Sequence, residues 1–312
     1  MPSLKRLARR ASRRSAALIK RAAYHPVLIR SPLNPLVRAG IRIAGPDESA
    51  ELLIDSERSL ARFGDGEFTV LMGLGATRFQ DSSADLAARL AEVLASDRED
   101  LLIGLPICLQ DTHEALPAER VFWGDYLRRN GRRLLSVVPH HRTYADAQLT
   151  RPFVPYGDRD LALRRFARLQ VIWKDRDILM VEGEMTRAGI GNDLFDGARS
   201  VRRIICPATD AYAHLEEIVG ATVEHGQGRL VLCSLGPTAT VVAHDASARG
   251  VRCLDLGHLD LEYMWALAGT PRVPLRGRYV NEILDQADSG LLPEEAALYD
   301  SQIIARIGVA QA

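Results

Sequence analysis

The chain has 312 residues, of which 47% are hydrophobic and 26% charged, and its 40 basic residues balance 40 acidic ones. This composition supports one substantial hydrophobic core and excludes a chain that is disordered throughout. No apolar run is long enough to span a bilayer, and the four cysteines lack a paired or C-x-x-C spacing, which argues against disulfides and a zinc site and for buried thiols in a reducing compartment.

The first segment, residues 1–45, is a basic arm. It contains eleven Lys and Arg residues and no acidic residue, so the remainder of the chain is net acidic by the same amount. Apolar residues between Leu4 and Ala22 follow helical spacing, which favours an amphipathic helix that contacts an anionic membrane through residues 1–30. A solvated basic tail is an equally open interpretation. Nucleic-acid binding is disfavoured because no aromatic residue interrupts the charges before Tyr24.

An acidic pair follows in a glycine-rich segment. Asp65 and Glu67 alternate with Gly64 and Gly66, directly after Arg62. The glycines let the backbone bend so that both carboxylates converge, and carboxylate oxygens suit Mg²⁺ or Mn²⁺. An ordinary Asp-Gly turn is the alternative interpretation.

The middle of the chain predicts alternating elements. We expect a helix over Ala118–Asn130 that ends at Gly131, a strand over Leu134–Val138 and an irregular loop over Thr143–Tyr156. Arg151 in that loop is either a substrate contact or part of an ordinary surface loop.

A third block begins with the apolar run Ile178–Val181, which predicts a buried strand. The loop after it carries Arg187, Asn192 and Asp193. Arg187 suits a phosphate or a sugar hydroxyl. Asn192 and Asp193 either contact a base or ribose or cap the next turn.

The most distinctive turn comes next. The apolar run Leu230–Leu235 predicts a strand, Gly236 ends it, and Pro237 suits the first turn of a helix that ends before Gly250. Free N–H groups and the helix dipole point the same way there, so an anion is expected over residues 236–239. The residues concerned are Gly236, Pro237, Thr238 and Ala239. A tight turn that binds nothing is the alternative.

The strand Val251–Leu256 leads into a second acidic cluster. His258, Asp260 and Glu262 alternate with leucines, so an extended segment would project all three to one side. Ligands of open α/β sheets bind just past strand ends, which favours a functional site over a polar edge strand. Near the end, Pro293–Ile307 predicts a helix that packs on the body.

This alternation predicts an α/β fold, a Rossmann-like and mostly parallel sheet with helices on both faces. We place the main domain at residues 46–285, between the arm and a C-terminal segment at residues 286–312.

The blocks ARFGDGE, VEGEMTRAGIGNDLF with RRIICP, and LGPTATVVAHD with DLGHLDLEYMW together resemble the bacterial glycosyltransferases of the GT-D fold, formerly a domain of unknown function. The resemblance covers roughly Asp55 to Asn281. It implies transfer of a hexose, glucose in described members, from a UDP-sugar to a glycan or glycoprotein acceptor, assisted by a divalent cation. It also implies an Asp-x-Glu pair that binds metal and diphosphate.

Two such pairs occur, and we assign them different roles. Asp65 and Glu67 are expected to bind the metal beside Gly64 and Gly66, whose turn permits close backbone approach. The second set, His258, Asp260 and Glu262, is expected to be catalytic and to activate the acceptor hydroxyl. Arg62 and Arg187 would offset the charge of the departing diphosphate.

Two other functions stay open at this point. One is a metal-dependent nucleotide phosphohydrolase, and the other is a non-catalytic subunit that binds a nucleotide sugar. A bacterial enzyme of this kind is expected in the cytoplasm, at the inner face of the membrane if the arm binds lipid. The donor sugar, the acceptor, the stereochemistry and the oligomeric state do not follow from the residues.

Overall fold

The computed structural model describes Ile29 and residues 34–78, 80–279 and 290–309. Its strands are β1 (Arg42–Ile43), β2 (Ser59–Arg62), β3 (Leu101–Leu105), β4 (Thr143–Asp146), β5 (Asp177–Gly183), β6 (Ser200–Cys206), β7 (Leu230–Ser234), β8 (Cys253–Asp255) and β9 (Ile303–Arg306). They form one sheet in the order β1-β4-β3-β2-β8-β7-β5-β6-β9, and every strand pair is parallel.

The helices connect these strands. They are α1 (Pro35–Arg38), α2 (Pro46–Ile54), α3 (Asp65–Leu71), α4 (Ala84–Ala95), α5 (Pro117–Val137), α6 (Arg159–Gln170), α7 (Leu215–Gly226), α8 (Pro237–Ser247), α9 (Leu259–Ala268) and α10 (Pro293–Gln302). Short 3-10 turns cover Ile107–Leu109, Ala147–Thr150 and Ala211–His214.

Helices cover both faces of the sheet, as β5 shows. Ile178 and Met180 belong to a core formed with α2, α6 and α9, whereas Leu179 and Val181 belong to a core formed with α4, α7 and α8. Successive strand residues point to opposite faces, so a strand buried on both faces is apolar throughout. The predicted α/β class with a parallel sheet is confirmed.

Gly131 does not end a helix. It lies inside α5, which continues to Val137, so the predicted strand over Leu134–Val138 is wrong. A Cβ at Gly131 would meet Leu127 and Pro35 at ordinary contact distances of 3.6 and 3.7 Å, and Leu127 and Leu134 continue the buried helical face across it. Packing on α1 and the core therefore compensates for the weak helix propensity of this glycine.

The loop predicted over Thr143–Tyr156 begins with β4 and a 3-10 turn. Asp146, Gln148 and Thr150 of this segment are buried, and Asp146 caps the turn by accepting a hydrogen bond from the Gln148 N–H at 2.8 Å. Side-chain capping of this kind lets polar residues occupy the interior of a fold.

The two ends of the described chain join the sheet. Residues 42–43, assigned from sequence to the basic arm, form β1 and pair with β4. At the other end the predicted helix Pro293–Ile307 stops at Gln302, and β9 then pairs with β6. Residues 1–28, and the predicted membrane contact with them, lie outside the described residues. No helix in the described part of the chain is long and apolar enough to cross a membrane.

Candidate active site

A cleft of about 620 Å³ opens at the carboxyl edge of the parallel sheet. Each of seven strands contributes residues at or just past its end, namely Gly64, Pro106, Ala147, Gly183, Pro207, Gly236 and Gly257. Open α/β sheets bind ligands at this edge because all strands and helix N-termini converge there.

Nine of the predicted site residues line this cleft. They are Arg62, Gly64, Asp65, Gly66, Glu67, Gly236, Pro237, His258 and Asp260. Six others, all within the described chain, are not among its lining residues: Arg187, Asn192, Asp193, Thr238, Ala239 and Glu262. The two acidic elements therefore meet at one cleft. The first contributes the carboxylates of Asp65 and Glu67, whereas the second contributes only that of Asp260.

Gly236 forms the turn between β7 and α8. Its φ of +55° and ψ of −143° lie in a region that favours glycine, and Pro237 occupies the first turn of the helix, as predicted. The Thr238 side chain is fully buried and donates a hydrogen bond to Gln80 Oε1 at 3.1 Å. At this helix start, then, the backbone of Gly236 faces the cleft while the Thr238 hydroxyl is committed to the interior.

Asp65 and Glu67 lie in the first turn of α3, not in an open glycine turn. The Gly64 N–H donates a hydrogen bond to Glu67 Oε2 at 2.7 Å, so the carboxylate of Glu67 caps the helix. Asp65 is exposed and Glu67 is partly buried, and both line the cleft. Carboxylates in a first helical turn are also stabilised by the helix dipole.

The surroundings of Glu67 disfavour its charged form. Desolvation by burial, followed by the charge of Asp255, raises its pKa to about 7, while Arg62 opposes this shift more weakly. A carboxyl with such a pKa changes its charge near neutral pH, and a bound cation would lower that pKa again.

Arg62 is held in place by the neighbouring strand. Its Nη2 and Nε donate to the Asp255 carboxylate and carbonyl, both at 2.8 Å, and its Nη1 donates to the Ala147 carbonyl at 3.1 Å. Only 14% of the side chain is exposed. Arg62 thus places a fixed, largely desolvated positive charge at the cleft floor.

Gly257 makes this arrangement possible. Its φ is +50°, and a Cβ there would lie 2.0 Å from Arg62 Nη2. The same residue donates its N–H to Asp255 Oδ1 at 3.1 Å. A side chain at position 257 would therefore displace the guanidinium from its partner.

The predicted extended segment after β8 is wrong, because α9 begins at Leu259 with His258 as its N-cap residue. Positions 260 and 262 of a helix point about 200° apart, so their side chains cannot share one side. Asp260 and His258 line the cleft, whereas the Glu262 side chain is fully buried elsewhere.

Glu262 holds the segment after β4. It accepts hydrogen bonds from Arg151 Nε at 2.9 Å and from the N–H groups of Phe153 and Val154 at 3.0 and 2.7 Å. Desolvation raises the pKa of Glu262, while Arg151 and these N–H groups oppose that shift. Its contacts support a positioning role in place of the predicted catalytic one, and they present Arg151 to the cleft.

Asp260 joins the cleft to the loop after β5. Its Oδ1 accepts from the Gly189 N–H and from Asn192 Nδ2, both at 2.8 Å, and its Oδ2 accepts from Arg278 Nε at 2.7 Å. Asn192 Oδ1 in turn accepts from the Leu194 N–H at 3.0 Å, which is the capping arrangement left open from sequence.

Asp193 and Arg187 are also engaged away from the cleft. Asp193 Oδ1 accepts from the Tyr263 hydroxyl at 2.7 Å, and Arg187 Nη1 donates to the Gly277 carbonyl at 3.1 Å. Arg187 lines a separate cavity of about 280 Å³ beside α10, together with Tyr299 and Arg306.

Sequence reasoning missed several residues of the cleft region. Asp255 lies inside a predicted strand, and its partner Arg62 is 193 positions away. Arg78, Glu119, Phe122, Trp123 and Arg272 also line the cleft, from loops and from α5. None of these residues belongs to a local sequence motif, although two adjacent aromatic residues, Phe122 and Trp123, are a signal that the sequence offers.

The family model described as glycosyltransferase GT-D fold matches residues 60–283. The chain belongs to this family. The predicted family and the predicted enzyme class, a glycosyltransferase, are confirmed.

Relatives agree with this assignment. The chain is 37% identical over 272 residues to a probable glycosyl transferase, Gly, of Streptococcus gordonii, and 35% identical over 272 residues to the glycosyltransferase GlyD of Streptococcus pneumoniae serotype 4. Each match covers 86% of this chain but only 39% and 33% of those proteins. The chain thus spans between a third and two fifths of the length of these curated relatives.

Two solved structures are also similar. A structure of domain of unknown function 1792, described as having a distinct glycosyltransferase fold, superposes with a TM-score of 0.82 at 32% identity and covers 89% of this chain and 100% of its own. A new glycosyltransferase from Streptococcus sanguinis gives a TM-score of 0.80 at 34% identity, covering 86% of this chain and 100% of its own.

Proposed function

We propose that this chain transfers a glucose-like hexose from a UDP-sugar to a glycan or glycoprotein acceptor, with the help of a divalent cation. One observation carries the proposal. The cleft of a glycosyltransferase fold collects the Gly236 turn, the Asp65/Glu67 pair and the His258/Asp260 element at the carboxyl ends of β7, β2 and β8.

The donor diphosphate would lie between the Gly236 turn and Arg62. The backbone of Gly236 lines the cleft, and the positive end of the α8 dipole lies behind it, which favours an anion there. Arg62 adds a guanidinium that Asp255 and the Ala147 carbonyl already hold in place. Such preorganised charge stabilises a departing diphosphate without reorganisation during the reaction.

Asp65 and Glu67 are the residues that would hold the cation. In the described part of the chain, no group of three or more His, Cys, Asp or Glu side chains is arranged to bind a metal ion. Magnesium and manganese ions often take only one or two protein carboxylates and obtain their other ligands from phosphates and water. The pair fits a cation that binds together with the donor, where it would offset the charge of the diphosphate.

His258 is the best remaining candidate for the general base. Asp260 is bound by Arg278 and by the 189–192 loop, and Glu262 faces away from the cleft. An imidazole changes protonation near neutral pH and can accept the proton of an acceptor hydroxyl.

The decisive experiment measures UDP release from UDP-glucose and related UDP-sugars with Mn²⁺, with and without acceptor sugars. We expect Asp65→Asn to reduce turnover by about two orders of magnitude, and His258→Ala to reduce transfer more than uncoupled hydrolysis. Asp97→Asn, at an exposed site that does not line the cleft, is the matched control.

Wild-type turnover that survives unchanged in the Asp65 variant would refute the assigned cation site. Hydrolysis of the diphosphate linkage, which releases UMP and a sugar 1-phosphate instead of UDP, would support the phosphohydrolase. Tight binding of intact UDP-sugar with no turnover would support the non-catalytic subunit.

A further inference from the structure

The wall of the cleft formed by α5 has no role in the proposed donor site. Phe122 and Trp123 from this helix line the cleft, together with Glu119 one turn earlier. The rings of Phe122 and Trp123 meet edge to face at 5.1 Å, and Tyr126 packs on both at 6.2 and 5.5 Å. We call Phe122, Trp123 and Tyr126 the aromatic wall.

Strand order separates this wall from the Gly236 turn. Helix α5 connects β3 to β4, whereas Gly236 follows β7, and β2 and β8 lie between β3 and β7. At about 4.8 Å per strand spacing, the ends of β3 and β7 are about 14 Å apart. The Asp65/Glu67 pair and His258 follow the two intervening strands, so they lie between the wall and the Gly236 turn.

Phe122 and Trp123 of the wall nevertheless line the same cleft as the Asp65/Glu67 pair. Burial is the main cause of the raised pKa of Tyr126, and the charges of Asp65 and Glu67 raise it further. A ligand packed on the wall would therefore end beside the carboxylates where the donor sugar is expected.

The two rings nearest the cleft differ in exposure. Trp123 is only 4% exposed and supports the wall from within. In contrast, 44% of the neighbouring Phe122 side chain is exposed.

A charged pair flanks the exposed ring. Glu119 Oε1 lies 3.5 Å from Arg272 Nη2, and both residues line the cleft. A carboxylate and a guanidinium offer charge-assisted hydrogen bonds of both polarities. An apolar ring face beside such groups matches a pyranose ring, which has C–H groups on its faces and hydroxyls around its rim.

We propose that the aromatic wall, with Glu119 and Arg272, is the acceptor subsite, and that the acceptor's terminal hexopyranose packs one face on Phe122. This inference rests on the proposed transferase function. The acceptor would then enter at the solvent side of the cleft, where Phe122 lies. A nucleobase would instead need an enclosed pocket.

Saturation-transfer NMR on the full chain with UDP and the diamagnetic cation Mg²⁺ tests this without any turnover. The probes are methyl β-D-glucopyranoside, methyl β-D-galactopyranoside and methyl 2-acetamido-2-deoxy-β-D-glucopyranoside. For at least one probe we expect stronger saturation of H1, H3 and H5, which share one ring face, than of H2. Phe122→Ala should weaken the apparent affinity for that probe about tenfold, and Phe122→Trp should restore it.

Val121→Ala is the matched control, since Val121 is an exposed apolar residue on the same helix that does not line the cleft. It should leave the saturation pattern as in the wild type. The proposal is overturned if no probe is saturated, or if Phe122→Ala abolishes saturation of the uracil protons and spares the sugar. Failure of UDP-sugar turnover, by contrast, would count against the donor reaction and not against this pattern.

Discussion

The two Asp-x-Glu pairs of this glycosyltransferase have the same spacing and opposite surroundings. Both lie in the first turn of a helix just past a parallel strand. Asp65 is exposed and Glu67 partly buried at the cleft, whereas Asp260 is 6% exposed and Glu262 is fully buried.

Their hydrogen bonds explain the difference. Glu67 accepts from the backbone N–H of its own N-cap residue, which leaves Asp65 available to a ligand. Asp260 and Glu262 instead accept hydrogen bonds from two distant loops and from two arginines. With identical spacing, the carboxylates therefore line the cleft at one strand end and hold loops in place at the other.

The largest expected effect is a difference in stability between variants of the two Asp-x-Glu pairs. Glu262→Ala would leave Arg151 and two backbone N–H groups without their acceptor, so we expect the free energy of unfolding to fall by about 3 kcal/mol. Asp65→Ala should change it by less than about 0.5 kcal/mol. Urea denaturation of both variants measures this difference. Equal losses of unfolding free energy would contradict a structural role that only the second pair has.

A smaller effect is expected at the support of the cleft floor. In Gly257→Ala, the positive φ and the displacement of Arg62 from Asp255 should together cost about 2 kcal/mol. Gly250→Ala is the control, because Gly250 also has a positive φ of +78° but a Cβ there would meet nothing within 4 Å. If both variants lose the same stability, the close approach to Arg62 contributes nothing beyond backbone strain.

The last effect is a pH dependence and concerns the carboxyl of Asp146. This side chain is fully buried, and among the described residues no arginine is hydrogen-bonded to it. Desolvation raises the pKa of Asp146 from 3.8 to about 7. The folded state thus binds the proton more tightly than the unfolded state, and the free energy of unfolding falls as pH rises between those two values.

Asp146→Asn should remove most of that fall in the free energy of unfolding, measured by urea denaturation below and above the window. Asp97→Asn serves as the exposed control. A profile for Asp146→Asn that is as steep as that of the wild type would assign the pH dependence to other groups.

Strands β5 and β7 and the Gly236 turn were predictable because their signals are local. Ile178–Val181 is a continuous apolar run, Leu230–Leu235 is interrupted only by Ser234, and the glycine and proline that follow it mark a helix start. The fold class followed from the alternation of such segments.

The second acidic element was misread because two periods fit so short a stretch. Leu259 and Leu261 alternate as in a strand, yet Leu259, Tyr263 and Ala266 also follow helical spacing and are buried, whereas Leu261 is only partly buried. Only the packing of α9 on the sheet decides between a strand and a helix for this segment.

The support of the site was beyond local patterns altogether. Asp255 pairs with Arg62 across adjacent strands, and Glu262 accepts hydrogen bonds from residues more than 100 positions earlier. Such pairs become visible only when strand order is known.

The position of β8 between β2 and β7 has a consequence for biosynthesis. Arg62 leaves the ribosome 193 residues before Asp255, so during that interval the edge of β2 that β8 will cover has no strand beside it. Exposed strand edges are prone to wrong pairing, and distant contacts form slowly. The binding cleft is consequently among the last parts of the nascent chain to assemble, and substitutions that weaken β8 should lower the yield of folded protein before they change its catalysis.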